Sequence, residues 1–313
     1  MKEDSPREKF IILNDFYDSF CKMNIKIDLK IIDENILNPF REELKNIIPN
    51  LVQYDLTTIR SIVNKEIDAR YYIITMDDMT YFENCDFSFD ITRTAYKISE
   101  IVSGKNYKGP RGTGKQMIAQ ADELYLHYIK HSSGKPIVLC DDGVGTGGSL
   151  KSMVSLLKQQ RIPVSKIFVL LNPNKIPNVK KIDIVDLMNI KGSYNWLSER
   201  DLFWGIHRSG ITCMITGDTG KTIFGLPYTI DDETINKRIH NFGDGTKKLR
   251  KLCIKYNIKL WELIKSHTKK NIMIKDIERL GYLGHIFNES NTDIVEFINK
   301  VKKEDFNFND YIS

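Results

Sequence analysis

One stretch of the chain limits the possible folds more than any other. Residues 136–160 read PIVLCDDGVGTGGSLKSMVSLLKQQ, which is an apolar run, two acids, a glycine-rich turn and an amphipathic helical segment. Short apolar runs of this kind are typical of buried parallel strands. A second run at 166–172 completes a strand–helix–strand unit. The stretch therefore predicts an α/β fold with a mostly parallel central sheet flanked by helices.

The segments on either side of this core predict helices. Further predicted helices lie at 39–48 and 56–64, a strand at 71–75 begins the core, and the apolar spacing is again helical beyond residue 231. Near the N-terminus, apolar residues recur at helical spacing: Phe10, Leu13, Phe16, Tyr17 and Phe20.

These patterns predict three consecutive regions. We expect a helical N-terminal extension over 1–68, the α/β core over 69–230 and a helical C-terminal region over 231–313. No repeat or low-complexity linker separates them.

The composition excludes several classes of protein. The chain has 313 residues, of which 41% are hydrophobic and 28% charged, so it is neither collagen-like nor wholly disordered. No apolar run is long enough to span a bilayer, and the charged first residues lack the apolar stretch of a secretory signal. The five cysteines are scattered and form no metal-binding pair. We therefore expect reduced thiols, a cytoplasmic location and no membrane partner.

The glycine-rich turn has the chemistry of a phosphate site. Gly145, Gly147 and Gly148 allow backbone N–H groups to approach an anion closely, and the following helix points its positive end at that anion. Thr146 and Ser149 add hydroxyl donors. The turn therefore predicts a bound phosphate group.

The two acids before the turn suit sugar hydroxyls or a magnesium ion. Ligands bind at the carboxyl ends of parallel strands, and Asp141 and Asp142 lie at such an end. A diol site beside a phosphate turn describes a ribose 5-phosphate site. The alternative is an unrelated α/β loop with chance glycines.

The order of apolar strand, two acids and a Thr-Gly-Gly-Ser turn resembles the phosphoribosyl-pyrophosphate (PRPP) loop of type I phosphoribosyltransferases. The resemblance implies that Asp141 and Asp142 bind the ribose 2′- and 3′-hydroxyls and magnesium. It also implies a 5′-phosphate site made by Thr146, Gly147, Gly148 and Ser149. Gly143 departs from the branched apolar residue usual in the family, and the pyrophosphate-binding turn expected after the first core strand is not evident. PRPP synthetases and regulatory proteins share this loop, so it indicates binding better than catalysis.

A second glycine-rich segment, GPRGTGKQMI, lies at 109–118. It approaches a Walker A loop, but Gln116 replaces the hydroxyl residue that binds magnesium, so an ATPase is rejected. Its position resembles that of the mobile loop of phosphoribosyltransferases. This resemblance implies that Arg111 and Lys115 neutralise the departing pyrophosphate. A solvated basic loop is the alternative.

Residues 198–210 resemble the region of phosphoribosyltransferases where an aromatic side chain stacks on the base and an acid reads its edge. This implies substrate-binding roles for Asp201, Phe203 and Trp204. Core packing is the alternative for the two aromatic residues. The Glu199-Arg200-Asp201 run and the helical tail also resemble the phosphoribosyltransferase-like effectors of bacterial phage-defence loci, including retron-associated ones.

The C-terminal region carries clustered positive charge. Ten Lys or Arg residues lie between Thr246 and Lys275, against the single acid Glu262. Such clustering suits a nucleic-acid backbone or an acidic partner, and solvated surface is the alternative. The candidate contacts are Lys247, Lys248, Arg250, Lys251 and Lys255.

The resulting hypothesis is an enzyme that transfers phosphoribosyl from PRPP, with Mg²⁺, to a nucleobase or other nitrogenous acceptor. The alternative is a nucleotide-binding effector or regulator in a bacterial antiphage nucleoprotein complex, with little turnover of its own. Both are compatible with a homo-oligomer.

Overall fold

The computed structural model describes residues 9–48, 50–76, 81–95, 107–110, 117–217, 220–239, 242–277, 279–303, 306 and 308. These residues form helices and mostly parallel sheets, which confirms the predicted α/β class. No helix in these ranges is both long enough and apolar enough to cross a membrane.

The secondary structure is numbered in chain order. The strands are β1 (Lys9–Asn14), β2 (Leu51–Asp55), β3 (Tyr72–Thr75), β4 (Phe87–Ser88), β5 (Ile91–Ala95), β6 (Tyr107–Pro110), β7 (Ile137–Gly143), β8 (Val164–Leu171), β9 (Asn178–Val179), β10 (Ile182–Asp186), β11 (Tyr194–Ser198), β12 (Ile211–Gly217) and β13 (Gly220–Leu226). The α-helices are α1 (Phe16–Cys21), α2 (Leu29–Ile32), α3 (Asn38–Ile47), α4 (Leu56–Glu66), α5 (Met117–His131), α6 (Gly148–Gln159), α7 (Asp232–Arg238), α8 (Gly245–Thr268), α9 (Gly281–Ile286) and α10 (Ile294–Val301). A π-helical turn spans Asp33–Leu37, and short 3-10 turns span Glu199–Leu202 and Ile274–Asp276.

The chain divides into two compact units, each made of more than one segment. Unit 1 comprises Met1–Gln53, Arg93–Tyr107 and Tyr194–Ser313, and unit 2 comprises Tyr54–Thr92 and Lys108–Ser193. This division differs from the three consecutive regions predicted from the sequence. The reason is that β1 pairs in parallel with β11, which places the N-terminal segment in the same unit as the C-terminal one.

Unit 2 contains a six-stranded sheet in the order β4-β3-β7-β8-β10-β9. The first five of these strands pair in parallel, and β9 is antiparallel to β10. When these five parallel strands are numbered one to five by their order in the sequence, they lie across the sheet in the order 2-1-3-4-5. The winding direction therefore reverses between β3 and β7, which is where doubly wound sheets bind their ligands.

The central strands of unit 2 are buried along their apolar runs. Every residue of β3 and the first four residues of β7 are buried, as parallel strands covered on both faces require. Helix α6 follows β7 and buries Leu150, Met153, Val154 and Leu157, which share one helical face. The strands predicted at 71–75, 136–141 and 166–172 and the helix between the last two are confirmed, with small shifts of their ends.

The other strands form a three-stranded sheet in the order β11-β1-β2 and a four-stranded sheet in the order β13-β12-β5-β6, of which β1, β11, β12 and β13 lie wholly in unit 1. The prediction of one N-terminal helix is wrong in its first half, because Phe10 and Leu13 lie in β1 and only Phe16, Tyr17 and Phe20 lie in α1. The four residues from Phe10 to Leu13 are all buried. A short apolar run buried on both faces has no periodicity that separates a strand from a helix.

Helix α8 organises the core of unit 1, as the apolar stripe of the tail predicts. Leu249, Leu252, Tyr256 and Leu260 are buried along it. Asn257 is also fully buried. Its side-chain oxygen accepts a hydrogen bond from the backbone N–H of Trp204, and its NH2 group donates to the carbonyl oxygens of Leu202 and Cys253 at 2.9 and 2.7 Å. A single amide therefore satisfies the backbone of a neighbouring segment inside the core.

We expect Asn257→Leu to lower the free energy of unfolding, although leucine has nearly the same shape. The Trp204 N–H and the Leu202 carbonyl would stay buried without partners, and each such group costs about 1–3 kcal/mol. Urea-induced unfolding measures the change. Asn299→Leu, at an exposed helical position, is the matched control and should shift the midpoint little. Equal shifts in the two variants would contradict the role of Asn257.

Candidate functional site

The turn between β7 and α6 lies at the carboxyl end of the strand beside the winding reversal. Its first residue, Val144, is 2% exposed and donates its N–H to the Leu171 carbonyl at 2.9 Å. The Asn174 amide donates to the Gly145 carbonyl at 2.8 Å. These bonds hold the turn on both sides while Gly145, Thr146 and Gly148 remain exposed.

Gly147 requires glycine for two reasons. It caps α6 with a φ of +74°, a left-handed conformation that residues with a Cβ rarely adopt. A Cβ at this position would also lie 3.3 Å from Val179 Cγ2. The backbone at Gly147 is therefore set by local sterics.

Gly145 and Gly148 stand in open space instead. Among the described parts of the chain, a Cβ on Gly145 would meet nothing within 4 Å, and one on Gly148 would meet only Thr146 Oγ1, at 3.6 Å. Packing therefore gives no reason for glycine at these two positions. The space beside their backbone is available to another molecule.

The N-terminus of α6 offers hydrogen-bond donors. This helix has 12 residues, and its glycine cap has no side chain with which to satisfy the first N–H groups. The hydroxyls of Thr146 and Ser149 belong to the same turn. Backbone donors, hydroxyls and the positive helix end together make a site with the properties of an oxyanion pocket.

Asp141 and Asp142 are the last acidic residues of β7, and both are partly buried. The Asp141 carboxylate accepts the N–H of Asp142 at 3.0 Å, so it folds back against the strand end. Successive side chains of a strand point to opposite faces of the sheet. The two carboxylates are therefore held differently, although they are neighbours in sequence.

The metal-ligating capacity of these acids is limited. Over the residues that the structure describes, no group of three or more His, Cys, Asp or Glu side chains could hold a metal ion. Magnesium, however, is often held by only one or two carboxylates together with substrate phosphates and water. The two carboxylates therefore suit a magnesium ion that binds together with a phosphorylated substrate. They do not by themselves enclose such an ion.

Several predicted residues cannot be placed beside this turn. Arg111 and Lys115, assigned to neutralise pyrophosphate, lie outside the described residues. Asp201 belongs to unit 1, whereas the turn belongs to unit 2.

The prediction that Phe203 and Trp204 stack on a base is wrong for this structure. Phe203 is 0% exposed and packs against Phe16 and Phe40 with ring centroids 4.9 and 5.0 Å away. Trp204 is 1% exposed and donates its indole N–H to Thr229 at 2.8 Å. Both rings are covered by the core of unit 1, as the alternative interpretation holds.

The Glu199-Arg200-Asp201 run belongs to a group of buried charges in unit 1. Arg41 forms two hydrogen bonds to Glu199, of 2.6 and 2.8 Å, and Arg200 pairs with the buried Asp15 at 3.3 Å. Sequence reasoning missed Arg41 and Asp15, because nothing in the local pattern links them to residues so far along the chain. A buried ion pair needs such partners to offset its desolvation.

Asp201 is the least compensated acid of this group. It accepts the Gly210 N–H at 2.9 Å. Burial is the largest influence and raises the pKa of Asp201 to about 7; the charge of Arg200 opposes the rise and that of Asp15 adds to it. The acid is thus poised to change its charge near neutral pH.

The candidate basic contacts of the C-terminal region fall into two groups, four exposed lysines and one buried arginine. Lys247, Lys248, Lys251 and Lys255 are exposed on α8, and Lys255 pairs with Glu43 at 2.7 Å. Arg250 is only 6% exposed, and its guanidinium donates to the carbonyls of Ile230 and Val301 at 3.2 and 2.7 Å. Arg250, a candidate contact like the four lysines, therefore differs from them in being largely buried and in holding the protein's own backbone.

A comparison of the chain with protein-family models, with curated proteins and with solved structures found no match.

The raised pKa of Asp201 predicts a pH-dependent stability. A carboxyl whose pKa is higher in the folded than in the unfolded state stabilises the fold at low pH, and this stability is lost as pH rises toward about 7. We therefore expect Asp201→Asn to gain about 1–3 kcal/mol relative to the unchanged protein between about pH 5 and about pH 8.

Urea unfolding across this pH range measures the difference. Asp183→Asn, at an exposed position of β10, is the control and should show no such trend. A stability difference independent of pH in Asp201→Asn would overturn the assignment.

Proposed function

We propose that the turn after β7 binds the ribose 5-phosphate part of PRPP, and that the protein is a type I phosphoribosyltransferase-like enzyme. The observation that carries this proposal is the left-handed Gly147 at the N-cap of α6, in the turn that follows the strand carrying Asp141 and Asp142 near its end. It combines an anion site and two sugar-binding carboxylates within one turn of the chain.

The phosphate is assigned to the N-terminus of α6. The N–H groups of its first turn, which no side chain caps, and the positive helix end attract a dianionic group, and Thr146 and Ser149 add donors. The open space at Gly145 and Gly148 supports the assignment, because a phosphate needs that room to reach the backbone.

The ribose hydroxyls are assigned to the two acids. Carboxylates accept short, charge-assisted hydrogen bonds from a diol. Because Asp141 is already tied to the Asp142 N–H, its orientation is fixed before the sugar arrives. Bound magnesium would neutralise charge on the pyrophosphate of PRPP.

The proposed reaction replaces the bond between ribose C1 and pyrophosphate oxygen with a bond from C1 to an acceptor nitrogen. Pyrophosphate leaves with the bonding electron pair, and the acceptor nitrogen loses its proton to solvent. The transition state is oxocarbenium-like, so the protein's part is to orient both reactants and to neutralise the leaving group. Arg111 and Lys115 are the proposed cations for the latter role.

The effector hypothesis is the second candidate. It is favoured by a cationic surface on unit 1 that the transfer reaction does not use. Calorimetry with PRPP and magnesium, followed by a screen of bases for pyrophosphate release, separates the two. Binding with release identifies a transferase, binding without release favours the effector or regulator, and no binding contradicts both uses of the turn.

We expect Asp141→Asn and Asp142→Asn each to weaken PRPP binding by roughly 10- to 150-fold, since a charged hydrogen bond contributes about 1.5–3 kcal/mol. Calorimetry gives the affinity, and circular dichroism checks the fold. Asp183→Asn is a matched control that removes the same charge elsewhere in unit 2 and should bind PRPP normally. Unchanged affinity in both site variants would remove the ribose assignment.

The glycines allow a test that separates binding from folding. We expect Gly148→Val to keep its fold and lose PRPP binding, because the new side chain fills open space beside the helix N-terminus. Gly147→Val should lower the melting temperature instead, because it combines a left-handed φ with a close contact to Val179. Ser152→Val, one turn further along α6, is the control for Gly148→Val. Normal PRPP binding by Gly148→Val would exclude the turn as the phosphate site.

A further inference from the structure

A pocket of about 570 Å³ lies in unit 1 along α8. We call it the lysine pocket. Its cationic lining residues are Lys247, Arg250, Lys251, Lys255, Lys259 and Lys302. The volume is within the range of small-molecule sites and too small for a nucleic-acid duplex.

The lysines of α8 form a row of like charges along one side of the helix, which is unfavourable for an isolated helix. Lys247, Lys251, Lys255 and Lys259 follow one another at four-residue intervals, and the row extends about 18 Å along the axis. Like charges at this spacing repel each other, and Glu43 relieves this at Lys255, with which it pairs at 2.7 Å. The first turn of α8 contains Lys247 and no acid, and Asp244 is the acid at the N-cap of the helix. Binding of an anion would compensate this repulsion.

The pocket also holds one fixed positive charge. Arg250 lines it while its guanidinium is bound to backbone carbonyls of two other segments. Its position is therefore preorganised, unlike that of an exposed lysine.

Two further features of the lining are not cationic. Ile254 and Ile258 provide an apolar wall. Asp232 also lines the pocket, and its Oδ1 atom is buried with no hydrogen-bond partner among the residues that the structure describes. A buried acceptor without a donor is unfavourable, so a ligand group that reached this atom after a rotation of the side chain and donated to it would be favoured.

We propose that the lysine pocket binds a nucleotide through two or more phosphate groups. The lysines bind the phosphates, the base lies against Ile254 and Ile258, and an amino or hydroxyl group of the nucleotide donates to Asp232. An inorganic polyphosphate would leave the Asp232 acceptor and the apolar wall unused, and a peptide made only of acidic residues has no aromatic ring for the wall. The same chemistry is presented by a free nucleotide and by the phosphorylated end of a single strand.

This proposal concerns residues of unit 1 and does not rest on PRPP binding in unit 2. Binding is measured by fluorescence anisotropy and calorimetry with three probes: adenosine triphosphate, tripolyphosphate and a short 5′-phosphorylated single-stranded DNA. A polyglutamate peptide serves as a fourth probe.

The central variant is Lys247→Gln/Lys251→Gln. We expect at least a tenfold loss of affinity for the nucleotide probe, and a salt dependence flatter by about 1.4 units for the single strand, since each phosphate contact contributes about 0.7. The control Lys269→Gln/Lys270→Gln removes the same charge from two exposed lysines outside the pocket and should bind as the unchanged protein does.

Asp232→Ala distinguishes a nucleotide from a simple polyphosphate. It should weaken binding of adenosine triphosphate but not of tripolyphosphate. If adenosine triphosphate binds more tightly than the 5′-phosphorylated strand, the ligand is a free nucleotide. If the strand binds more tightly, the ligand is the end of a nucleic acid. Gly148→Val should leave these affinities unchanged, so a failure of the PRPP site and a failure of this site give different results.

Three outcomes would overturn the proposal. They are the absence of binding by the unchanged protein even at low salt, an equal loss in the pocket and control variants, and binding of polyglutamate alone. The last would identify the surface as a contact for an acidic protein. Circular dichroism of each variant shows that a lost affinity does not reflect unfolding.

Discussion

Parallel pairing of β7 with β3 on one side and β8 on the other fixes the position of the candidate PRPP site. Cys140 lies opposite Thr75 and Phe168, and just beyond the strand Val144 is still bound to Leu171. A strand that is paired on both sides ends at a defined point. The positions of its two acids and of the turn that follows it are therefore defined as well. A functional loop on such a rigid frame needs few stabilising contacts of its own.

The parts of the fold that follow from local pattern were predictable. β7, the turn and α6 adjoin one another in sequence, and their apolar run, glycines and helical spacing each suffice to identify one element. β1 was not predictable, because a buried strand of four apolar residues has the same pattern as one turn of a buried helix. Its identity depends on pairing with β11, which no local pattern encodes.

The same limit applies to individual side chains. Trp204 has the chemistry of base stacking, but its ring is packed inside the core; Arg250 has the chemistry of phosphate binding, but backbone carbonyls already hold its guanidinium. What decides their roles is a distant partner, Thr229 for one and the carbonyl of Val301 for the other. Residue type restricts what a side chain can bind, whereas burial decides whether it is available. Gly147 is the opposite case, since the need for glycine there follows from its own left-handed backbone and from its neighbour Val179.

The division of the chain has a consequence for its synthesis. Unit 2 ends at Ser193, immediately before β11 begins, so all of its residues leave the ribosome before β11 does. β1 emerges first and waits for β11 for about 10 to 40 s at ordinary translation rates of about 5–20 residues per second. During that interval the nascent chain carries a hydrophobic strand with one unpaired edge, which is a template for aggregation. The protein is therefore more vulnerable while it is being made than after it has folded.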